Sequence, residues 1–169
     1  AGYLSECGLS YPAQLQTLLG TGYNVSNFGV GGATLLKKGD KPYWNQVRYT
    51  EALASHPDLV VIMLGTNDAR VDNWGQHSAN FLPDYAAFIS SFSLLPSAPA
   101  VQLMIPPPLY RDGRYDFNQT VINTVLPPLV RRASAAAGLP APIDLFALFQ
   151  AHCPVVGGTP GQFRSLTQF

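Results

Sequence analysis

The sequence has few charged side chains and no excess of either sign. Lysine plus arginine and aspartate plus glutamate number 10 each among 169 residues, so the formal net charge is zero, and only 12% of residues are charged. Without a basic run, the chain lacks the electrostatic footprint of proteins that bind nucleic acid or an acidic membrane surface. Its apolar runs are also too short to cross a bilayer. We therefore expect neither a nucleic-acid partner nor a membrane span.

Cysteine is scarce as well, and only Cys7 and Cys153 are present. They allow one disulfide, with two unpaired thiols or partners outside this chain as the alternatives. Two sequons, at Asn24 and Asn118, point to a secreted or extracellular location. The sequence carries no metal, flavin or nucleotide signature, so we expect no cofactor and no metal site.

What the chain does have is an alternation of helix and strand signals. Apolar segments typical of strands lie over residues 23–28, 59–64, 101–105 and 143–146. Helix signals lie over residues 10–20, 46–54, 84–92 and 117–137, the last interrupted by two prolines. This order predicts an α/β fold with a parallel sheet and right-handed crossovers. We expect a single domain over residues 1–169.

The stretch from Asp58 to Asp68 organises the predicted fold. Residues 59–64 are apolar without polar alternation, which is typical of a strand buried on both faces in the middle of a parallel sheet. The run ends at Gly65, and Thr66, Asn67 and Asp68 follow. Ligand sites of open α/β sheets lie outside the carboxyl ends of the strands. These polar residues are therefore predicted to stand at a site.

A second unusual strand end lies at residues 27–34, where glycine occupies positions 29, 31 and 32. If the two strands are neighbours, a glycine N–H and the Asn67 amide converge at one edge. Two such neutral donors can form an oxyanion hole for acyl transfer. The alternative is purely structural, with the glycines forming a tight turn and Asn67 and Asp68 capping the next helix.

These two segments resemble sequence blocks of the SGNH hydrolases, also called GDSL hydrolases. Their second block, Asn-x-Gly-x-x-Gly-x-Thr, matches residues 27–34, and their third, Gly-x-Asn-Asp, matches residues 65–68. Four further motifs resemble the branch of acetylesterases that act on acylated carbohydrates, and they lie at residues 39–44, 57–58, 73–74 and 107–110. The resemblance implies serine ester hydrolysis on a flavodoxin-like, three-layer α/β/α sandwich.

The resemblance also implies roles for individual residues. Gly32 and Asn67 would form the oxyanion hole, and the substrate would be an acyl ester or an acetylated carbohydrate. Candidate substrate-binding residues are Thr66, Asp68, Tyr43, Trp44 and His77. For the two aromatic residues the alternative is a loop anchored into the core, and for the histidine it is a solvated position in a loop.

The sequence departs from the family at both ends. The family's nucleophilic serine would stand three residues before Ala1, and no Asp-x-x-His pair follows Ile143. We therefore expect a fold that is incomplete at both ends and no hydrolysis of p-nitrophenyl acetate by these residues alone. Ala1 should then lie within roughly 15 Å of Gly32 and Asn67, the reach of a short segment.

Three explanations of these departures stay open. The chain is part of an active esterase, or it is a non-catalytic structural or binding protein within a larger assembly, a pseudoenzyme. In the third explanation another polypeptide supplies the absent blocks and completes a split enzyme.

Overall fold

The computed structural model describes residues 10–110 and 114–152, which form a parallel sheet with helices packed against it. In the described residues the strands are β1 (Leu59–Ile62), β2 (Ala100–Ile105) and β3 (Ile143–Asp144), in the order β1-β2-β3. Both pairings are parallel, with Val60 beside Val101 and Met104 beside Ile143. The predicted α/β class with a parallel sheet is confirmed. Ala1, Cys7 and Cys153, and the expectations attached to them, lie outside the described residues.

The helices follow the sequence signals in most places. They are α1 (Tyr11–Leu19), α2 (Val47–Ala54), α3 (Val71–His77), α4 (Phe81–Ser93), α5 (Leu126–Ala136) and α6 (Leu145–His152). Ser10 caps α1 as expected, because its hydroxyl oxygen accepts the Ala13 N–H at 3.4 Å. No helix in the described ranges is long and apolar enough to span a membrane.

Several element boundaries differ from the prediction. Asp84 does not begin a helix, because α4 starts three residues earlier, and its carboxylate instead accepts the Lys37 N–H at 2.9 Å. No helix signal was assigned to residues 71–77, but α3 forms there. The predicted helix over residues 117–137 is divided, with a π-helical turn at Val121–Val125 before α5. Proline in the first turn of α5 fits this division, since it lacks the N–H that a continuous helix needs.

The strand predicted over residues 23–28 is wrong, because this segment has no regular secondary structure. Its backbone is held by a side chain rather than by a neighbouring strand. Gln16 Nε2 donates to the Tyr23 carbonyl at 2.9 Å, and Gln16 Oε1 accepts the Val25 N–H at 2.6 Å. The apolar pattern alone could not show that these residues lack a strand partner within residues 10–110 and 114–152, and a strand exists only where its backbone groups are paired.

The prediction that residues 59–64 form a central strand buried on both faces is also wrong. Within the described residues β1 pairs only with β2 and lies at the edge of the sheet. Leu59 is 58% exposed and Val61 is 37% exposed, whereas Ile62 on the opposite face is buried. The middle position belongs to β2, whose Leu103 is buried in the core. The family assignment therefore rests on sequence matches rather than on the position of β1.

One hydrophobic core lies beneath the sheet and joins it to the helices. β2 packs against both α4 and α5, and the core includes Ile62, Leu103, Phe81, Tyr85 and Leu126. Burial of such apolar surface is the main favourable contribution to folding. This packing fixes the carboxyl end of β1, from which one loop of the candidate site begins.

Candidate active site

Asn67 stands immediately beyond the carboxyl end of β1. Gly65, at φ +119°, turns the chain after the strand, and residues 67–69 form a single 3-10 turn. A carbon added to Gly65 would lie 3.3 Å from the ring of Phe81. The glycine therefore allows the chain to turn sharply against the core. This turn places Asn67 at the edge where α/β proteins bind ligands.

The glycine-rich segment supplies the second element of the site. Asn27 Oδ1 accepts the Gly29 N–H at 2.9 Å and begins the turn, and Gly32 adopts φ +79°. Among the described residues the Gly32 N–H has no hydrogen-bond partner. A glycine is suited to this position because other residues rarely adopt positive φ. Within the described part of the chain, the turn thus leaves one backbone donor unpaired.

A hydrogen bond between Asn67 and Ala33 joins the two segments. Asn67 Nδ2 donates to the Ala33 carbonyl at 2.9 Å, across 34 positions of sequence. Because a carbonyl oxygen only accepts, the group facing it has to be the NH₂ of the amide. That NH₂ has a second hydrogen, which this bond does not use. The structure thus brings Asn67 next to the segment that carries Gly32, as the sequence predicts.

Asp68 is in the interior and not at a substrate-facing surface, which corrects its expected role as a substrate contact. Its side chain is 0% exposed, and its two carboxylate oxygens accept the N–H groups of Leu35 at 3.0 Å and Leu36 at 2.6 Å. Desolvation by burial raises the pKa of Asp68 to about 6, although the bonds from Leu36 and Leu35 oppose the rise. Asp68 fixes the backbone that follows the glycine turn.

A polar network binds the backbone of Asn67. Asn73 Nδ2 donates to the Asn67 carbonyl at 3.1 Å and to Asp40 Oδ1 at 2.8 Å, and Arg70 forms an ion pair with Asp40. Desolvation raises the pKa of Asp40, but the bonds from Asn73 and Arg70 and the charge of Arg70 outweigh it and lower the pKa overall. These residues have no role in the sequence-based prediction. Asp40 and Asn73 lie in two of the motifs that carry the resemblance.

Tyr43 and Trp44 anchor the loop into the core. Tyr43 is only 7% exposed, and its hydroxyl donates to the Phe28 carbonyl at 2.7 Å. Trp44 Nε1 donates to the Leu35 carbonyl at 2.7 Å. Both rings make edge contacts with Phe88, at centroid distances of 5.7 and 5.1 Å. The structural alternative is therefore observed for the buried Tyr43, whereas Trp44 is partly exposed and a substrate contact there stays a prediction.

For Thr66 and His77, a contact with substrate stays a prediction. Thr66 is partly exposed beside Asn67, where a ligand could reach its hydroxyl. His77 is the last residue of α3 and is partly exposed, so it lies in a helix rather than in the expected loop. In the described part of the chain, no group of three or more His, Cys, Asp or Glu residues is arranged to hold a metal ion.

Gly39 is predicted to be indispensable for the shape of this site. A Cβ at this position would lie 2.4 Å from Thr34 Oγ1, and Thr34 is 0% exposed. We expect Gly39→Ala to lower the free energy of unfolding by about 1–3 kcal/mol, as overpacking does. In the control Gly75→Ala, the added carbon meets nothing within 4 Å, so stability should be unchanged or higher. Equal urea midpoints for Gly39→Ala and wild type would contradict this packing argument.

Comparison with known proteins agrees with the two sequence blocks. The model of the GDSL-like Lipase/Acylhydrolase family matches residues 1–152. An acetylxylan esterase of Xylanibacter ruminicola is 37% identical over 155 residues, which cover 82% of this chain and 32% of that protein. The chain thus spans about a third of the length of this relative. No solved structure matches. The chain belongs to the GDSL-like lipase/acylhydrolase family, the SGNH hydrolases, and it is similar to their carbohydrate esterases.

Proposed function

We propose that the protein hydrolyses acetyl esters on a carbohydrate, with the Gly32 N–H and the Asn67 amide binding the oxyanion. The observation that carries the proposal is the 2.9 Å hydrogen bond from Asn67 Nδ2 to the Ala33 carbonyl. It holds a side-chain donor beside the segment that presents a free backbone donor. Two preorganised neutral donors of this kind stabilise the negative charge that develops on the ester oxygen during acyl transfer.

The charge distribution around the site suits this role. Asp68 lies next to Asn67 in sequence, but its two oxygens accept the N–H groups of Leu35 and Leu36. The carboxylate of Asp40 is neutralised by its ion pair with Arg70. Among the described residues, the Asp68 and Asp40 carboxylates are thus both occupied by hydrogen bonds or an ion pair, which limits the repulsion that a negative charge at short range would exert on an oxyanion.

In the proposed enzyme, the nucleophile and the general base come from the family's Gly-Asp-Ser and Asp-x-x-His blocks. Neither block occurs in the 169 residues. The serine would attack the ester carbonyl while the histidine takes up its proton, and the oxyanion donors would act on the resulting intermediate. These residues alone are accordingly expected to leave p-nitrophenyl acetate intact.

The substrate class rests on the relative rather than on a shaped pocket. The matched relative is an acetylxylan esterase, and four motifs of this chain resemble carbohydrate acetylesterases. An acetyl group on a plant polysaccharide is therefore the proposed substrate. A polysaccharide is too large to enter a cell, so an enzyme that deacetylates it would work outside the cell, which agrees with a secreted location.

The proposal is tested with the protein expressed from its complete reading frame. Acetate release from acetylated xylan and hydrolysis of p-nitrophenyl acetate are measured beside a long-chain p-nitrophenyl ester. We expect both acetyl substrates to be hydrolysed, the long-chain ester to react far more slowly, and a fluorophosphonate to abolish the activity by labelling serine. A folded protein that binds acetylated xylan without releasing acetate would instead be a non-catalytic binding protein.

A further inference from the structure

Lys41 contacts the peptide unit that carries the proposed oxyanion donor. Its Nζ donates a hydrogen bond to the Gly31 carbonyl at 2.9 Å. That carbonyl and the Gly32 N–H belong to the same peptide unit, which is trans. The two groups of a trans peptide point in opposite directions. The ammonium group therefore binds on the carbonyl side of the peptide. The opposite side, where the Gly32 N–H would meet the oxyanion, is left open.

The backbone of Lys41 is held close to the glycine turn. Its carbonyl accepts the Thr34 N–H at 2.8 Å, and the Thr34 carbonyl accepts the Tyr43 N–H at 2.9 Å. A carbon added to Gly32 would lie 3.7 Å from Lys41 Cδ, so the aliphatic part of the lysine lies along the turn. The position of the ammonium group thus follows from two fixed backbone contacts and from packing of the side-chain stem.

The peptide between Gly31 and Gly32 needs such an anchor. Glycine on both sides means that no Cβ opposes rotation of this peptide, and a flipped peptide would direct the Gly32 N–H away from the site. A hydrogen bond at the Gly31 carbonyl favours one of the two orientations. A positively charged donor also polarises the amide, which strengthens the bond that its N–H makes on the other side.

Neighbouring charges do not compete for the ammonium group. The adjacent carboxylate of Asp40 is already bound by Arg70 and by Asn73. In residues 10–110 and 114–152, no ion pair of Lys41 is found. The Gly31 carbonyl is thus the acceptor that the structure provides for this cation.

We propose that Lys41 is a positioning residue for ester hydrolysis, orienting and polarising the Gly31–Gly32 peptide so that the Gly32 N–H points at the oxyanion. The inference rests on the proposed function for its effect on rate, but the contact itself is independent of any activity. Lys41 acts through Gly32 and does not itself touch the substrate.

The first test is kinetic and uses the protein from its complete reading frame. Lys41→Met keeps the aliphatic stem and removes the charge, so kcat for p-nitrophenyl acetate should fall about three- to tenfold with KM nearly unchanged. Lys41→Arg should restore most of kcat, because a guanidinium can donate to the same carbonyl. The matched control is Lys38→Met, an exposed lysine of the same loop, which should leave both constants unchanged.

A second measurement separates failure of this inference from failure of the proposed function. In ¹⁵N-labelled protein, the amide proton of Gly32 should move upfield in Lys41→Met and show new exchange broadening from peptide flipping, but not in Lys38→Met. This result supports the contact even if no ester is hydrolysed. An unchanged Gly32 signal overturns the inference. A raised KM with unchanged kcat also overturns it, since Lys41 would then bind substrate directly.

Discussion

Asn67→Ala is expected to lower kcat for acetyl-ester hydrolysis about a hundredfold or more in the protein expressed from its complete reading frame. The substitution removes the amide hydrogen that the bond to the Ala33 carbonyl leaves unused. KM should change much less, because the negative charge develops only in the transition state. Initial rates over a range of p-nitrophenyl acetate concentrations separate the two constants.

Two further variants make the result specific. Asn67→Asp keeps the size of the side chain but replaces the donor by a carboxylate, so it should be at least as inactive as Asn67→Ala. Asn45→Ala removes an exposed asparagine outside the site and should keep full activity. If Asn67→Ala retained more than about a third of wild-type kcat, its proposed role would be untenable, since loss of an oxyanion donor costs far more.

The contact between Asn67 and the segment that carries Gly32 was predictable because both segments match blocks with a defined order and spacing. The glycine block was expected to follow a strand, but residues 23–28 form none. Hydrogen bonds hold the glycine block near the residues that follow β1. Asn67 donates to the Ala33 carbonyl, and Asp68 accepts the N–H groups of Leu35 and Leu36. In the residues that the structure describes, the two segments of the site are thus joined by side-chain to backbone bonds rather than by a shared sheet.

Burial was the least predictable property. An apolar run such as residues 59–64 shows how much apolar surface a strand carries, but not whether a neighbour covers it. β1 consequently lies at the edge of the described sheet with Leu59 and Val61 exposed. Asp68 illustrates the opposite error, because a carboxylate beside a catalytic motif was expected to face the substrate. Its partners lie more than 30 positions earlier in the sequence, and such distant contacts leave no local pattern.

Asp68→Ala is expected to destabilise the fold most at about pH 4 and below, where this group makes its full contribution to stability. Two backbone N–H groups, those of Leu35 and Leu36, would lose their acceptors inside the protein. Each unpaired buried donor costs about 1–3 kcal/mol, so the free energy of unfolding should fall by roughly 2–6 kcal/mol. Urea unfolding followed by circular dichroism measures the change. The control Asp72→Ala, at an exposed position in the first turn of α3, should change stability by less than about 1 kcal/mol.

Asp68 should also give the folded protein a characteristic dependence on pH. Burial raises the pKa of Asp68 from 3.8 to about 6, so between these values the folded state binds a proton that the unfolded state has released. The contribution of this group to stability is therefore fully present below about pH 4 and is lost as pH rises through about 6. This rise in the pKa of Asp68 corresponds to a loss of folding stability on the order of 3 kcal/mol as pH rises through that range.

Asp68→Asn isolates this contribution, because the amide has nearly the same shape and does not titrate. Its single oxygen can accept one of the two N–H groups, so the variant should still fold. We expect the stability of wild type minus that of Asp68→Asn to fall between pH 4 and pH 7 and to stay constant above it. Urea titrations of both proteins across this range measure the difference. A constant difference from pH 4 to 7 would mean that Asp68 keeps an ordinary pKa, and that its two backbone hydrogen bonds offset the cost of burying the carboxylate.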